Sequence, residues 1–106
     1  QVLKDRESLA SDGVMIAAVT LNFKTKAIIG GPDVQSRGVI YLKDADYLVK
    51  GVGQLFEETI ENLVKNGKYE NALARKEARD KIAKFVYKET AKRPVILPVI
   101  VEINID

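Results

Sequence analysis

Lys84, Lys88 and Lys92 recur every fourth residue, with Tyr87 among them and Arg93 closing the series. On a helix that spacing stacks the three ammonium groups into one stripe, and stripes of this kind grip the phosphates of a nucleic-acid backbone. A solvated helix face is the plainer reading of the same residues. Glu57, Glu58 and Glu61 share one helical turn and have the chemistry to hold a divalent cation, although exposed helix carboxylates are ordinarily just hydrated. Arg37 enters a strand directly after the Gly/Pro segment GGPDVQSRG. A guanidinium held there suits two-point recognition of a carboxylate or phosphate; the plainer role is internal, anchoring the segment to Asp33 or Glu102. The segment lacks the Gly-Lys-Ser/Thr ending that a phosphate-cradling loop needs, and Gly51-Val52-Gly53 is too short a motif to signal anything.

Histidine and cysteine are both absent. Without them the chain alone assembles neither a serine triad, nor a conventional zinc hydrolase site, nor a disulfide framework. No nucleophile–base pair is visible either, so a stand-alone enzyme is not the reading we carry forward. The lack of cysteine is compatible with a reducing, cytoplasmic setting.

The elements that must position these groups fit one domain in 106 residues. Apolar content is 46% and charged content 30%, and a net charge of +2 does not by itself announce nucleic acid. The distribution says more. Asn71 to Arg93 carries a net charge of +5, whereas Asp44 to Val64 carries −4. Two helices of opposite sign lying side by side is the plainer account. The first residues, QVLKDRES, lack the apolar stretch of a signal peptide, and no run reaches membrane-spanning length. The opening Gln, where Met is usual, suggests a piece of something longer, with residues 1–12 as a tether from an upstream core and 13–106 as the domain.

Val14 to Asn22 is apolar on both alternating faces and predicts a strand. Asn22 to Thr25 turns it into a short second strand over Lys26 to Ile29. Gly30 to Arg37 is expected to be a structured loop, and Gly38 to Lys43 a third strand. Asp44 is placed as the N-cap of a helix whose apolar positions run Leu48, Val52, Leu55, Phe56, Thr59, Ile60, Leu63. Gly51 and Gly53 mark either a break in it or a close helix contact. Asn66-Gly67 ends that helix. A second helix runs from about Glu70 to Lys92, burying Ala74, Ala78, Ile82, Phe85 and Val86, until Pro94 forbids continuation.

The last strand, RPVILPVIVEINI, places Val95, Leu97, Val99, Val101, Ile103 and Ile105 on one face and Ile96, Pro98, Ile100, Glu102 and Asn104 on the other. The order β-β-β-α-α-β predicts an α/β (α+β) two-layer sandwich. Its sheet would be small, mostly antiparallel and three- to four-stranded, with both helices on one face. Nothing is left to cover the second face. We expect that face to carry Ile96, Pro98 and Ile100 together with Val14 and Ile16. Each large aliphatic contributes about 1.5–3 kcal/mol when buried, and several in water mark an interaction surface; the alternative is a loop or the tether folded over them. Pro98 places its strand at an edge or a bulge.

GGPDVQSRGVIYLKD, followed after two helices by RPVILPVIVEI, resembles the carboxy-terminal domain of bacterial ribonuclease J, where a SGPD…SRGFVY segment and an RPMILPVIMEV strand occupy these places. The opening LKDRESLASDGVMIAAVTLNFKT resembles the family's link into the domain and its first strand. The resemblance spans nearly the whole chain. Gly30, Val39, Val95 and Val101 depart from the commoner Ser, Phe, Met and Met, which changes apolar volume and leaves the pattern standing. What it implies is a parent enzyme with a metallo-β-lactamase core and an inserted nucleic-acid domain. With two zinc ions the parent would cut RNA both endonucleolytically and 5′ to 3′, in messenger RNA decay and ribosomal RNA maturation. The family's HxHxDH metal motif has no counterpart here, so no catalytic or metal residue carries over, and no cofactor is expected in this chain. Two roles follow as expectations. One is an assembly domain joining its own catalytic core and homo- or hetero-oligomeric neighbours through Ile96, Pro98, Ile100, Val14 and Ile16. The other is an RNA-contact module using Lys84, Lys88, Lys92, Arg93 and Arg37.

Overall fold

In the computed structural model, residues 12–39 and 45–105 are described. The elements are β1 (Val14–Asn22), β2 (Ile28–Arg37), α1 (Ala45–Lys65), α2 (Asn71–Thr90) and β3 (Val95–Ile103). The described strands form one mixed sheet in the order β2-β1-β3, with β1 antiparallel to β2 and parallel to β3. The two helices supply the crossover that a parallel return requires. They lie on one face, α1 over β2 and α2 over β3, which gives the expected two-layer α+β sandwich.

Local chemistry explains most boundaries. Asn22 Oδ1 accepts hydrogen bonds from the backbone of Lys24 (2.8 Å) and Thr25 (3.1 Å), closing the β1–β2 turn as the sequence predicts. The end of α1 is closed by bonds from Gly67 N to Val64 O (3.1 Å) and from Lys68 N to Leu63 O (2.8 Å). Glu70 caps α2 by accepting from Leu73 N at 3.2 Å, and Ala91 ends that helix in the left-handed region at φ 59°. Proposed N-cap Asp44 lies outside the described residues.

The stretch expected to be a loop, Gly30 to Arg37, is instead most of β2. A bulge reconciles Gly-Gly-Pro with a strand: Ala18 pairs with Asp33 but Thr20 with Gly30, so β2 carries an extra residue there. Gly31 sits in it at φ 79°, and a Cβ would come within 2.6 Å of the Ala18 carbonyl oxygen. Position at the sheet edge lets Pro32 go without a donor. Gly38 and Val39 belong to no strand, and residues 40–43, the rest of the expected third strand, lie outside the described residues.

Between sheet and helices lies the core. Met15, Ala17, Val19 and Leu21 come from β1, Leu48, Val52, Phe56, Ile60 and Leu63 from α1, Ala74, Ala78, Ile82 and Val86 from α2, and Ile96 and Ile100 from β3. The alanines let α2 sit close to the sheet. Gly51 and Gly53 do not break α1, which runs unbroken. A Cβ on Gly51 would lie 2.4 Å from the Phe85 ring of α2, so of the two alternatives the close helix contact is the one found.

Candidate functional site

Parallel pairing fixes which residues share a face. Met15, Ala17 and Val19 stand beside Ile96, Pro98 and Ile100 under the helices, while Val14, Ile16, Ala18 and Thr20 stand beside Val95, Leu97, Val99 and Val101 on the other side. That second face has no helix on it among the described residues. Leu97, Val99, Val101 and Ile103 are 45%, 39%, 47% and 42% exposed, and Val14 and Ile16 are half-buried beside them. Toward β2 the same face turns polar with Asp33, Gln35 and Arg37, which pair with Ala18, Ile16 and Val14. The result is an aliphatic field over β3 and β1 with one charged margin.

The five residues expected on an uncovered face are therefore split. Val14 and Ile16 do lie on it. Ile96 and Ile100 are buried against the helices, and Pro98 is half-buried on their side. The strand is turned over relative to expectation, so that its wholly aliphatic side faces out and its mixed side faces in. Glu102, the polar residue on the inward side, is accommodated there by hydrogen bonds. Its carboxylate accepts from the Tyr69 hydroxyl at 2.6 Å, from Asn71 Nδ2 at 3.1 Å and from Lys26 Nζ at 3.1 Å. Asn71 Nδ2 also donates to Ile100 O at 3.2 Å, and its own Oδ1 accepts from Arg75 Nε at 2.7 Å. The start of α2, where backbone N–H groups favour a negative charge, is part of the same corner.

The Tyr69 bond, then the Asn71 bond, then the Lys26 charge hold Glu102 below its ordinary 4.5 in spite of the burial that opposes them. Burial first, and the Glu102 carboxylate second, push the Tyr69 hydroxyl above its ordinary 10.0. The cluster joins the β1–β2 turn, the α1–α2 connection, α2 and β3. Periodicity gave no sign of it; a lone carboxylate ending an apolar strand face was the only available hint.

Arg37 is exposed and donates to the carbonyl oxygen of its neighbour Ser36 at 3.1 Å. Glu102, one of its two expected partners, is committed elsewhere. Lys84, Lys88, Lys92 and Arg93 are all exposed at the carboxy-terminal end of α2 and the link after it. The Arg93 guanidinium lies over the Tyr87 ring, 4.5 Å from its centroid. Ala83, Lys84, Tyr87, Arg93 and Pro94 line an open surface hollow of about 280 Å³ there. Glu57, Glu58 and Glu61 form no cation site, since among the described residues no group of three or more potential ligands converges. With no histidine or cysteine in the chain, its donor set does not fit a zinc centre.

These features define a class: a small α+β sandwich with one face of its sheet closed by helices and the other, among the described residues, uncovered and largely aliphatic. Comparison with known proteins makes it specific. Residues 1–103 match the family described as Ribonuclease J C-terminal domain, and the chain belongs to that family. It is similar to Ribonuclease J 2 of Staphylococcus epidermidis (strain ATCC 35984), 38% identical over 102 residues, covering 96% of this chain and 18% of that protein. Ribonuclease J 2 of Staphylococcus aureus (strain NCTC 8325) shows the same identity and coverage. The chain thus spans less than a fifth of the length of these relatives. No helix among the described residues is long and apolar enough to cross a membrane.

Proposed function

We propose that this chain is the assembly domain of a ribonuclease J-like enzyme, and that a second copy of the chain occupies its bare sheet face. The observation that carries the reading is the row Leu97, Val99, Val101 and Ile103 standing in water beside Val14 and Ile16. Aliphatic sheet faces pack on one another at a small angle with side chains interdigitated. A twofold axis also suits the margin: Asp33 and Arg37, four residues apart on one strand face, offer opposite charges that two copies exchange. The parent enzyme in this reading is a cytoplasmic zinc-dependent hydrolase that cuts RNA internally and from the 5′ end in messenger RNA decay and ribosomal RNA maturation. This domain contributes no metal ligand to it and joins its catalytic cores into an oligomer.

Sedimentation of the chain across a concentration series tests the proposal. A dimer is expected, with Leu97→Lys and Val101→Lys each shifting it to monomer while circular dichroism stays native. A wild-type chain that remains monomeric throughout overturns it. If the same two variants then disable the full-length enzyme, the catalytic core of the parent is the occupant instead.

A further inference from the structure

We infer that the carboxy-terminal end of α2 and the link following it form a contact site for single-stranded nucleic acid, centred on Tyr87 and Arg93. The site is a surface hollow whose lining is mostly apolar and carries two cations. Ala83, Tyr87 and Pro94 supply the apolar lining, and Lys84 and Arg93 the charge. Its volume of about 280 Å³ admits one flat ring and falls just under the usual range for a small-molecule pocket. The guanidinium lying over the Tyr87 ring, 4.5 Å from its centroid, sets a positive charge beside an aromatic surface. Unpaired bases stack on such aromatic and guanidinium planes irrespective of sequence, while neighbouring lysines hold the phosphates on either side. Lys88 and Lys92 extend the charge beyond the hollow.

The pair is held, not loose. Ala91 donates its N–H to Tyr87 O at 2.7 Å, Arg93 donates its backbone N–H to Asp12 Oδ2 at 2.9 Å, and Pro94 is buried. These three constraints hold the link that carries Arg93 over Tyr87. A duplex presents no free base faces to such a surface, and a purely acidic peptide has the charge but no ring to stack. Opposite faces of the fold carry the two sites: α2 buries Ala74, Ala78, Ile82 and Val86 toward the sheet and presents Tyr87 and Lys84 outward. A chain docked through its bare sheet face therefore keeps this site open, and the inference does not depend on the docking proposal.

Fluorescence anisotropy with labelled oligouridylate and oligoadenylate, titrated by the whole chain at low salt, tests it. Both oligomers are expected to bind, with an affinity that falls on a log–log salt plot with a slope of about −2 to −3 for three or four neutralised phosphates. Tyr87→Phe should bind as the wild type, and Tyr87→Ala about tenfold more weakly, the loss of one stacked base. Arg93→Ala should weaken binding and flatten the salt slope by about one. Leu97→Lys should leave binding in place, which separates this result from the fate of the assembly reading. No binding at low salt overturns the inference. So does equal affinity for a polyglutamate peptide or duplex of matched charge with Tyr87→Ala unchanged, which makes the patch a non-specific cationic surface. All the altered side chains are exposed, and an unchanged thermal midpoint confirms that each variant is folded.

Discussion

Glu102 receives three hydrogen bonds, from Tyr69, Asn71 and Lys26. A hydrogen bond to a charged group contributes about 1.5–3 kcal/mol, and removing the charge leaves Lys26 and Tyr69 facing a neutral amide. Glu102→Gln should lower stability by about that amount, read as a shift in urea midpoint with an unchanged slope. The pH dependence has a definite sign. Because the folded state holds Glu102 below its ordinary 4.5, its contribution is present above that value and is lost as pH falls through the lower folded value. Tyr69 works from the other end. Its folded value lies above 10.0, so its contribution is intact below 10.0 and is lost as pH rises beyond it. Urea midpoints measured at stepped pH should show both losses in the wild type. Glu102→Gln should lose less below 4.5, and Tyr69→Phe less above 10.0.

At the level of elements, two positions set how the helices end and meet. Ala91 closes α2 with φ 59°, a conformation that costs an L-residue about 1–2 kcal/mol and glycine little. Set against the greater freedom of glycine in the unfolded chain, Ala91→Gly should raise stability by about 0.5–1 kcal/mol in thermal or urea unfolding. Gly51 is different because its missing side chain is where the Phe85 ring sits. Gly51→Ala alone should destabilise by about 1–3 kcal/mol through overpacking. In a Phe85→Ala background the clash is gone and only helix propensity remains, so the same change should stabilise by about 1 kcal/mol. Reversal of sign in that double-mutant cycle is the check, and a constant sign would show that the ring moves aside without cost. The sequence left Gly51 open between a break and a contact, since propensity records only the helical cost of glycine and a contact requires the neighbouring helix to be in place.

For the molecule as a whole, the orientation of β3 decides which substitutions report on folding and which on docking. Ile100 is buried against α2, so Ile100→Asp puts an unpaired carboxylate into the core and should unfold the chain, costing more than about 4 kcal/mol. Val101, the next residue, is 47% exposed. At concentrations where the chain is a single copy, Val101→Lys should change stability by no more than about 1 kcal/mol, the span of strand preference. Chemical denaturation of the two variants side by side separates the two faces, and a reversal of their order would mean that the strand sits the other way up.

Spacing and composition alone determined both helices and most of their buried positions from Leu48 to Val86, the hairpin turn at Asn22 and an excess of aliphatic strand surface over what two helices cover; they leave Pro98 open between an edge and a bulge, and Phe85, expected to be buried, is half-buried against the core. Those features rest on interactions within a few residues or on a simple count of apolar groups. Tertiary structure decided the rest. GGPDVQSR is composed like a loop and becomes a strand because β1 offers it a partner and the bulge at Gly31 absorbs the extra residue. The last strand has apolar residues on both sides, so alternation is indifferent to which side turns inward. That choice is made in the fold, where Tyr69, Asn71 and Lys26, 76 to 31 residues away along the chain, give Glu102 a hydrogen-bonded place under the helix layer, and Leu97, Val99, Val101 and Ile103 face water.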